Sequence, residues 1–400
     1  MGEVLWRALQ LGLTSFGGPI AHLGYFERTY VQKLNWLSSS EYGELVALCQ
    51  SLPGPTSSQV GFLVGLHRAG WKGAIAAWVG FTLPSALLMY AFAALLKALP
   101  SSADGLQPIL HGLVLTAVGV VAQAVWSMAR SLCPDWPRRI LAALSCAALL
   151  VFSAPSTQLI VMLAGALAGK LVCRDTKLPG VGVVRRSQPR VAAAAVTLYL
   201  LLLATVSGVA FLAPHSAAAL AAIFYRAGAL VFGGGHVVLP LLRQELVPGG
   251  WISDSSFLSG YALAQGLPGP LFTVAAYLGA TSAPAHLGSA WAAPAAAPAA
   301  ALAVLAIFTP GLLLAAGGVS LWNRLARVPG ASAALAGINA SVVGILAAAL
   351  YDPVWSRGVT DVTDAAVAIV AFLLLQFCRF PAAGTMVLCV LASLLKPHFL

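Results

Sequence analysis

Charge is what this chain has least of. Only 8% of its 400 residues are Asp, Glu, Lys or Arg, and just twelve are acids. A soluble domain carries about 25% charged residues, so this composition cannot build a water-facing surface. Motifs of hydrolytic and nucleotide chemistry are missing as well. The chain has no HExxH, no DDxxD, no GxSxG and no Walker-type phosphate loop. An intramembrane enzyme or an ATP-driven pump would need such a centre. The six cysteines (Cys49, Cys133, Cys146, Cys173, Cys378, Cys389) show neither CxxC nor Cys/His spacing. Most stand in apolar segments and read as small buried hydrophobes. No metal and no cofactor is implied.

What the chain has is apolar length. Hydrophobic residues make up 60% of it and the mean hydropathy is +0.89. Runs near the roughly 20 residues that span a bilayer recur along it. They are continuous rather than alternating, which excludes a β-barrel. The expected fold is an all-α polytopic membrane protein surrounded by lipid. The net charge of +10 comes from basic residues clustered in short loops. That pattern reads as membrane topology, not as nucleic-acid binding. The N-terminus runs straight into Leu5–Phe16, and no cleavable leader stands out.

The chain repeats itself. Phe16-Gly17-Gly18 matches Phe232-Gly233-Gly234, and Trp36-Leu37-Ser38 matches Trp251-Ile252-Ser253. QSLPGP (Gln50–Pro55) matches QGLPGP (Gln265–Pro270), and Leu83-Pro84 matches Thr309-Pro310. Gly112 and Gly119 match Gly337 and Gly344. The order is the same in both halves, with an Ala/Pro insertion at 282–298 in the second. This divides the chain into three units: a repeat over 1–172, a basic linker with a connecting helix over 173–213, and a second repeat over 214–400. The four longer spans expected in the first repeat are 71–97, 106–130, 138–153 and 155–172. In the second they are 299–319, 331–351, 363–378 and 382–397.

The connecting helix, 191–213, has no counterpart, so the number of crossings between equivalent points is odd. The halves should then lie inverted, the plan of many secondary transporters. Loop charges set the orientation. The linker carries Lys170, Arg174, Lys177, Arg185, Arg186 and Arg190 and should be cytoplasmic. Arg68, Lys72, Arg130, Arg138, Arg139, Arg324, Arg327 and Arg379 then fall inside, and Asp352, Asp361 and Asp364 outside. The N-terminus is expected in the cytoplasm and the C-terminus outside.

Phe-Gly-Gly and Pro-Gly-Pro should interrupt helices. Proline lacks the backbone donor and pushes its predecessor out of helix. Unwound backbone survives in a bilayer only when buried in protein or lining a wet cavity. A helix starting after a break presents free N–H groups and a positive dipole end, which suits an anion. The acids lie mostly in loops or at segment ends, and a cation site would usually keep one at depth. The candidate anion-binding residues around the first Gly-Gly are Thr14, Ser15, Phe16, Gly17, Gly18, Pro19 and His22. At and after the first Pro-Gly-Pro they are Pro53, Gly54, Pro55, Thr56, Ser57, Ser58 and Gln59. In the second half they are Arg226, Phe232, Gly233, Gly234, Gly235, His236, Pro268, Gly269, Pro270 and Thr273. Arg226 either snorkels to an interface or faces the cavity with its charge. Equally, the glycines could serve only close helix packing.

Several stretches resemble the CHR-type chromate ion transporters. They are LGLTSFGGPIAHLGYFERTY (Leu11–Tyr30), ELVALCQSLPGPTSSQVG (Glu44–Gly61), RAGWKGAIAAWVGFTLPS (Arg68–Ser85) and VVAQAVWSMARSLCPD (Val120–Asp135) in the first half. In the second half they are GALVFGGGHVVLPLLRQELV (Gly228–Val247) and GYALAQGLPGPLFTVAAYLGA (Gly260–Ala280). The resemblance covers nearly the whole chain. It implies a bacterial inner-membrane transporter that exports chromate and confers resistance to it. It also places the family's two motif types at Phe16–Pro19, Pro53–Pro55, Phe232–Gly235 and Pro268–Pro270. The family often carries a base six positions before the first Phe-Gly-Gly; here Gln10 stands there, while Arg226 occupies the second-half equivalent. Transport would run by alternating access, one repeat rocking against the other. Sulfate, another tetrahedral oxyanion, is the nearest alternative substrate. An anion channel is the alternative mechanism, and a homodimer the candidate assembly.

Overall fold

The computed structural model describes residues 1–98, 106–152, 157–173, 189–214, 216–232, 235–286, 296–325, 328–378 and 380–396. Among these residues every regular element is helical. The first half holds α1 (Gly2–Thr14), α2 (Gly18–Phe26, continued by a π-helical turn at Glu27–Lys33) and α3 (Ser39–Ser51). The next helical stretch, Thr56–Ala98, is bent back by non-helical backbone at Ala69 and Gly70. It is therefore two helices, α4 (56–68) and α5 (71–98). Then come α6 (Leu106–Leu132), α7 (Trp136–Val151) and α8 (Thr157–Val172). The connecting helix is α9 (Pro189–Leu212).

The second half runs α10 (Ala217–Leu230), α11 (Val238–Leu246), α12 (Asp254–Gly266) and α13 (Val274–His286). It ends with α14 (Ala296–Leu325), α15 (Ala331–Ala349), α16 (Val362–Gln376) and α17 (Ala382–Leu395). Helix for helix, the order after α9 repeats the order before it. Five helical stretches are long and apolar enough to cross a membrane: Thr56–Ala98, Gln107–Leu132, Arg190–Leu212, Ala296–Gly318 and Ala331–Gly358. Shorter apolar helices stand between them. The chain is a multi-pass membrane protein.

The repeated Trp-x-Ser pairs have a local reason. Ser38 closes a capping box on α3, its hydroxyl accepting from the Glu41 N–H and its own N–H bonding the Glu41 carboxylate at 2.8 Å. Ser253 caps α12 in the same way through the Ser256 N–H. Each serine thus starts the helix that runs into a Pro-Gly-Pro. A second matched pair, Asp135 and Asp361, caps α7 and α16. At the first of these, Arg138 bonds Asp135 at 2.7 Å and holds its carboxyl below the usual carboxylate range.

The halves are interlocked. α6 packs on α12, α16 and α17, all in the second half, while α15 packs on α7 and α8, both in the first. The matched glycines make the seams. A Cβ on Gly112 would meet Val390 Cα at 2.5 Å, and one on Gly337 would run into the Gly165 carbonyl. A Cβ on Gly119 would meet Ala371 Cβ at 2.8 Å, and one on Gly344 would run into the Ala142 carbonyl. Small residues let helices approach this closely in lipid, where apolar surface alone does not drive association. The unmatched α9 lies against α10 and α14 and leaves Leu198, Leu200, Leu201 and Val209 exposed.

Six of the basic loop residues expected inside, Arg174, Lys177, Arg185, Arg186, Arg327 and Arg379, lie outside the described residues. The acids need one correction. Asp364, expected in an outer loop, is buried in the first turn of α16. It accepts from Thr360 at 2.5 Å, bonds Lys396 Nζ at 2.8 Å and faces His111 Nε2 at 3.0 Å. Burial of a carboxylate requires such partners.

Candidate anion site at the paired breaks

Both motif types break the helices. α1 ends at Ser15 in extended backbone, and Gly17 and Gly18 take φ of 97° and 78° before α2 begins. Gly54 and Gly269, the central residues of the two Pro-Gly-Pro turns, take φ of 120° and 96°. Only glycine adopts such angles without strain. The breaks are then cross-linked between halves. The Gly54 N–H donates to the Val231 carbonyl at 2.8 Å, and the Gly269 N–H donates to the Ser15 carbonyl at 2.9 Å. Ser15 and Val231 are the residues just before Phe16 and Phe232. Each Pro-Gly-Pro therefore bonds the other half's Phe-Gly-Gly, and the four interruptions meet as two reciprocal pairs. Gly233 and Gly234 lie outside the described residues.

The first Pro-Gly-Pro opens onto a run of donors. The first helical bond of α4 runs from the Gln59 N–H to the Pro55 carbonyl at 3.0 Å, so the N–H groups of Thr56, Ser57 and Ser58 precede it. All four side chains from Thr56 to Gln59 are buried. Ser57 Oγ lies 3.4 Å from His22 Nδ1, and the His22 ring sits beside the Ser15 backbone carbonyl. The Ser15 and Ser58 hydroxyls, His22 Nε2 and Gln59 Oε1 are buried without a hydrogen-bond partner. Buried polar atoms are normally satisfied, so a concentration of unsatisfied ones beside a helix start marks a site. Gln59 Nε2 reaches back to the Pro53 carbonyl at 2.9 Å and across to the Gly311 carbonyl of α14 at 3.0 Å.

The second Pro-Gly-Pro closes on itself. A 3-10 turn, Leu271–Thr273, precedes α13. It binds the Thr273 N–H to the Pro270 carbonyl at 3.0 Å and the Val274 N–H to the Leu271 carbonyl. The Thr273 hydroxyl also bonds Pro270, at 2.8 Å. Other expected ligands are engaged too. His236 Nδ1 meets Tyr261 Oη at 3.0 Å and Gln265 Nε2 at 3.2 Å. Thr14 bonds its own helix at Gln10, 2.7 Å away. Arg226 forms a two-pronged ion pair with Glu245, with Nε 3.1 Å from Oε1. Its charge is answered within the protein by Glu245. Arg243 is paired likewise, with Asp254 at 2.7 Å.

A family model described as Chromate transporter matches residues 2–170 and 218–395. The chain belongs to the chromate transporter family. The two matched spans fall within the two repeats expected over 1–172 and 214–400, and α9 lies between them. Among curated relatives of this family member, a "Chromate transport protein" of Pseudomonas aeruginosa is 29% identical over 280 residues, 69% of this chain and 65% of the relative. A "Probable chromate transport protein" of Synechococcus elongatus is 26% identical over 86% of this chain and 81% of its own length. A "Chromate transport protein" of Cupriavidus metallidurans is 25% identical over 94% and 88%. No solved structure matches the chain.

Residues that the sequence did not single out complete the site. Ser85 Oγ stands 2.6 Å from where a Cβ on Gly269 would be, and Gly311 Cα 2.8 Å from one on Gly54. Ser85 and Gly311 come directly after Pro84 and Pro310, the matched prolines of α5 and α14, so the repeat alignment itself pointed to them. Tyr261 and Gln265, which hold His236, carry no such signal.

Proposed function

We propose that the protein is a secondary transporter of chromate, moving the anion out of the cytoplasm of a bacterium across the inner membrane and so conferring resistance. The observation that carries this reading is the set of unpartnered donors at the first break, in a member of the chromate transporter family. A tetrahedral oxyanion accepts from several directions at once. Backbone N–H groups at a helix start, with hydroxyls beside them, suit it without a fixed positive side chain. The basic loops favour an N-terminus inside and a C-terminus outside. The halves are inverted about the paired breaks, and the site is exposed to each side in turn. An inside-negative potential favours the exit of negative charge by about 2.3 kcal/mol per charge per 100 mV. Chromate efflux from loaded vesicles checks the energetics: imposing the potential should speed it. Efflux indifferent to potential refutes this drive, and counterflow of sulfate at equal rate favours a general oxyanion carrier. Flux that never saturates favours a channel.

A further inference from the structure

Gln59 differs in kind from the other groups at the first break, because what it leaves free is an acceptor. Its amide orientation is fixed by the chain itself: Nε2 lies 2.9 Å from the Pro53 carbonyl and 3.0 Å from the Gly311 carbonyl, and both can only accept. Turning the amide over would set three acceptors against one another, so the oxygen must stand on the other side. The side chain folds back over the start of α4, since Pro53 precedes that helix. The amide is thus held at the break, with Nε2 2.9 Å from where a Cβ on Gly54 would be, at the same helix start that carries the N–H groups of Thr56, Ser57 and Ser58. The residue is fully buried and Oε1 meets no donor. A lone acceptor among donors repels a bare oxyanion and is satisfied by one that carries a hydroxyl.

Resting on the transport reading above, we infer that the first break alone holds the substrate, and that it selects a singly protonated tetrahedral oxyanion. The donors, the Ser15 and Ser58 hydroxyls and the Thr56–Ser58 N–H groups, take the bare oxygens. Gln59 Oε1 takes the proton. Hydrogen chromate persists near neutral pH, whereas sulfate keeps a proton only in strong acid. The same backbone cradle then separates two ions of nearly equal shape by their protonation, as a buried acceptor left unpaired penalises the wrong ligand. The second half lacks the device. At the positions matching Ser15 and Gln59 stand Val231 and Val274, and the Thr273 hydroxyl, which matches Ser58, is already bonded to Pro270.

The titratable side chain facing this site is His22, with Nδ1 on Ser57 and the ring against Ser15. Charged groups on the elements around it are engaged or stand at helix ends. Glu3 pairs with Arg68, Arg7 bonds Gln10, and Glu27 and Arg28 lie in the π-helical turn past α2. The acids of α3, Glu41 and Glu44, are at its start, far along the helix from Pro53, and Lys72 and Lys97 mark the two ends of α5. Protonation of His22 would strengthen every anion alike, so a sulfate series reports it separately.

The test is calorimetric binding to the purified full-length protein, with chromate and with sulfate, from about pH 6 to about pH 9. Affinity for total chromium should fall about tenfold per pH unit once chromate has lost its proton, while sulfate stays weak and flat. Gln59→Leu should weaken chromate about tenfold and strengthen sulfate, erasing the preference. Chromate affinity that is level across the upper pH range overturns the inference and leaves the transport reading standing. Failure of chromate to bind at every pH removes the transport reading itself. If Gln59→Leu does not fold, the wild-type pH series decides alone.

Discussion

The two Pro-Gly-Pro turns share a motif and a conformation, and each bonds the residue before the other half's Phe-Gly-Gly, yet they lead into different structures. From the first, the chain enters α4 directly, and its opening residues are Thr56, Ser57, Ser58 and Gln59. From the second it passes through a tight 3-10 turn of Leu271, Phe272 and Thr273 before α13. That turn bonds the Thr273 N–H to Pro270, whereas the N–H of its counterpart Ser58 precedes the first helical bond of α4. The repeat therefore builds the frame twice, and a handful of side chains on one side make the first break the candidate site. A duplicated scaffold can keep its architecture in both copies while confining its chemistry to one.

The largest expected break in this comparison comes from the glycines at the turns. A Cβ on Gly54 meets the Gly311 backbone at 2.8 Å, whereas one on Gly269 meets the Ser85 hydroxyl at 2.6 Å, which can rotate away, and otherwise only Ser85 Cβ at 3.0 Å and the Gly12 carbonyl at 3.3 Å. Gly54→Ala should cost about 3 kcal/mol, from the positive φ plus a backbone clash. Gly269→Ala should cost about 1–2 kcal/mol, mostly from φ. Unfolding in detergent measures both, and equal losses would mean that the two turns are packed alike after all. Next comes affinity. Ser58→Ala should weaken chromate binding about tenfold, as loss of a donor to a charged group does, and Thr273→Val at most about twofold. A reversal of that order would move the site to the second break.

The smallest effect concerns Arg226. If its role is to pair with Glu245, Arg226→Gln or Glu245→Gln alone should each cost about 1 kcal/mol, since both side chains remain partly exposed. The double substitution should recover most of that loss, with chromate transport close to wild type. Transport lost in the double variant would give the guanidinium a direct part in holding the anion.

The architecture was legible because the same signals occur twice. Phe-Gly-Gly, Trp-x-Ser and Pro-Gly-Pro each carry a local mechanism: a positive φ, a helix cap, a missing donor. Those mechanisms act within a few residues, so sequence spacing is enough to read them, and even the break at Ala69 and Gly70 falls between the expected segments. The site was legible only as a set of candidates. Gln59 turns on a carbonyl 252 positions away, and Arg226 turns on an acid 19 positions away across a broken helix. Asp364 stands one turn inside an apolar helix, and only the approach of α6 and the end of α17 makes that position tolerable. Distance along the chain says nothing about such meetings.

The exchange of α6 and α15 bears on how the molecule can move. Each helix is wedged by matched glycines into the other half's bundle, so neither sequence repeat is a free-standing solid. A stroke that exposes the breaks first to one side and then to the other cannot part the molecule at the linker. Whatever slides must be a composite, with pieces of both halves travelling together, and the plane of slip must run between these composites. Duplication wrote the chain as two copies, but the packing is cut along a different line.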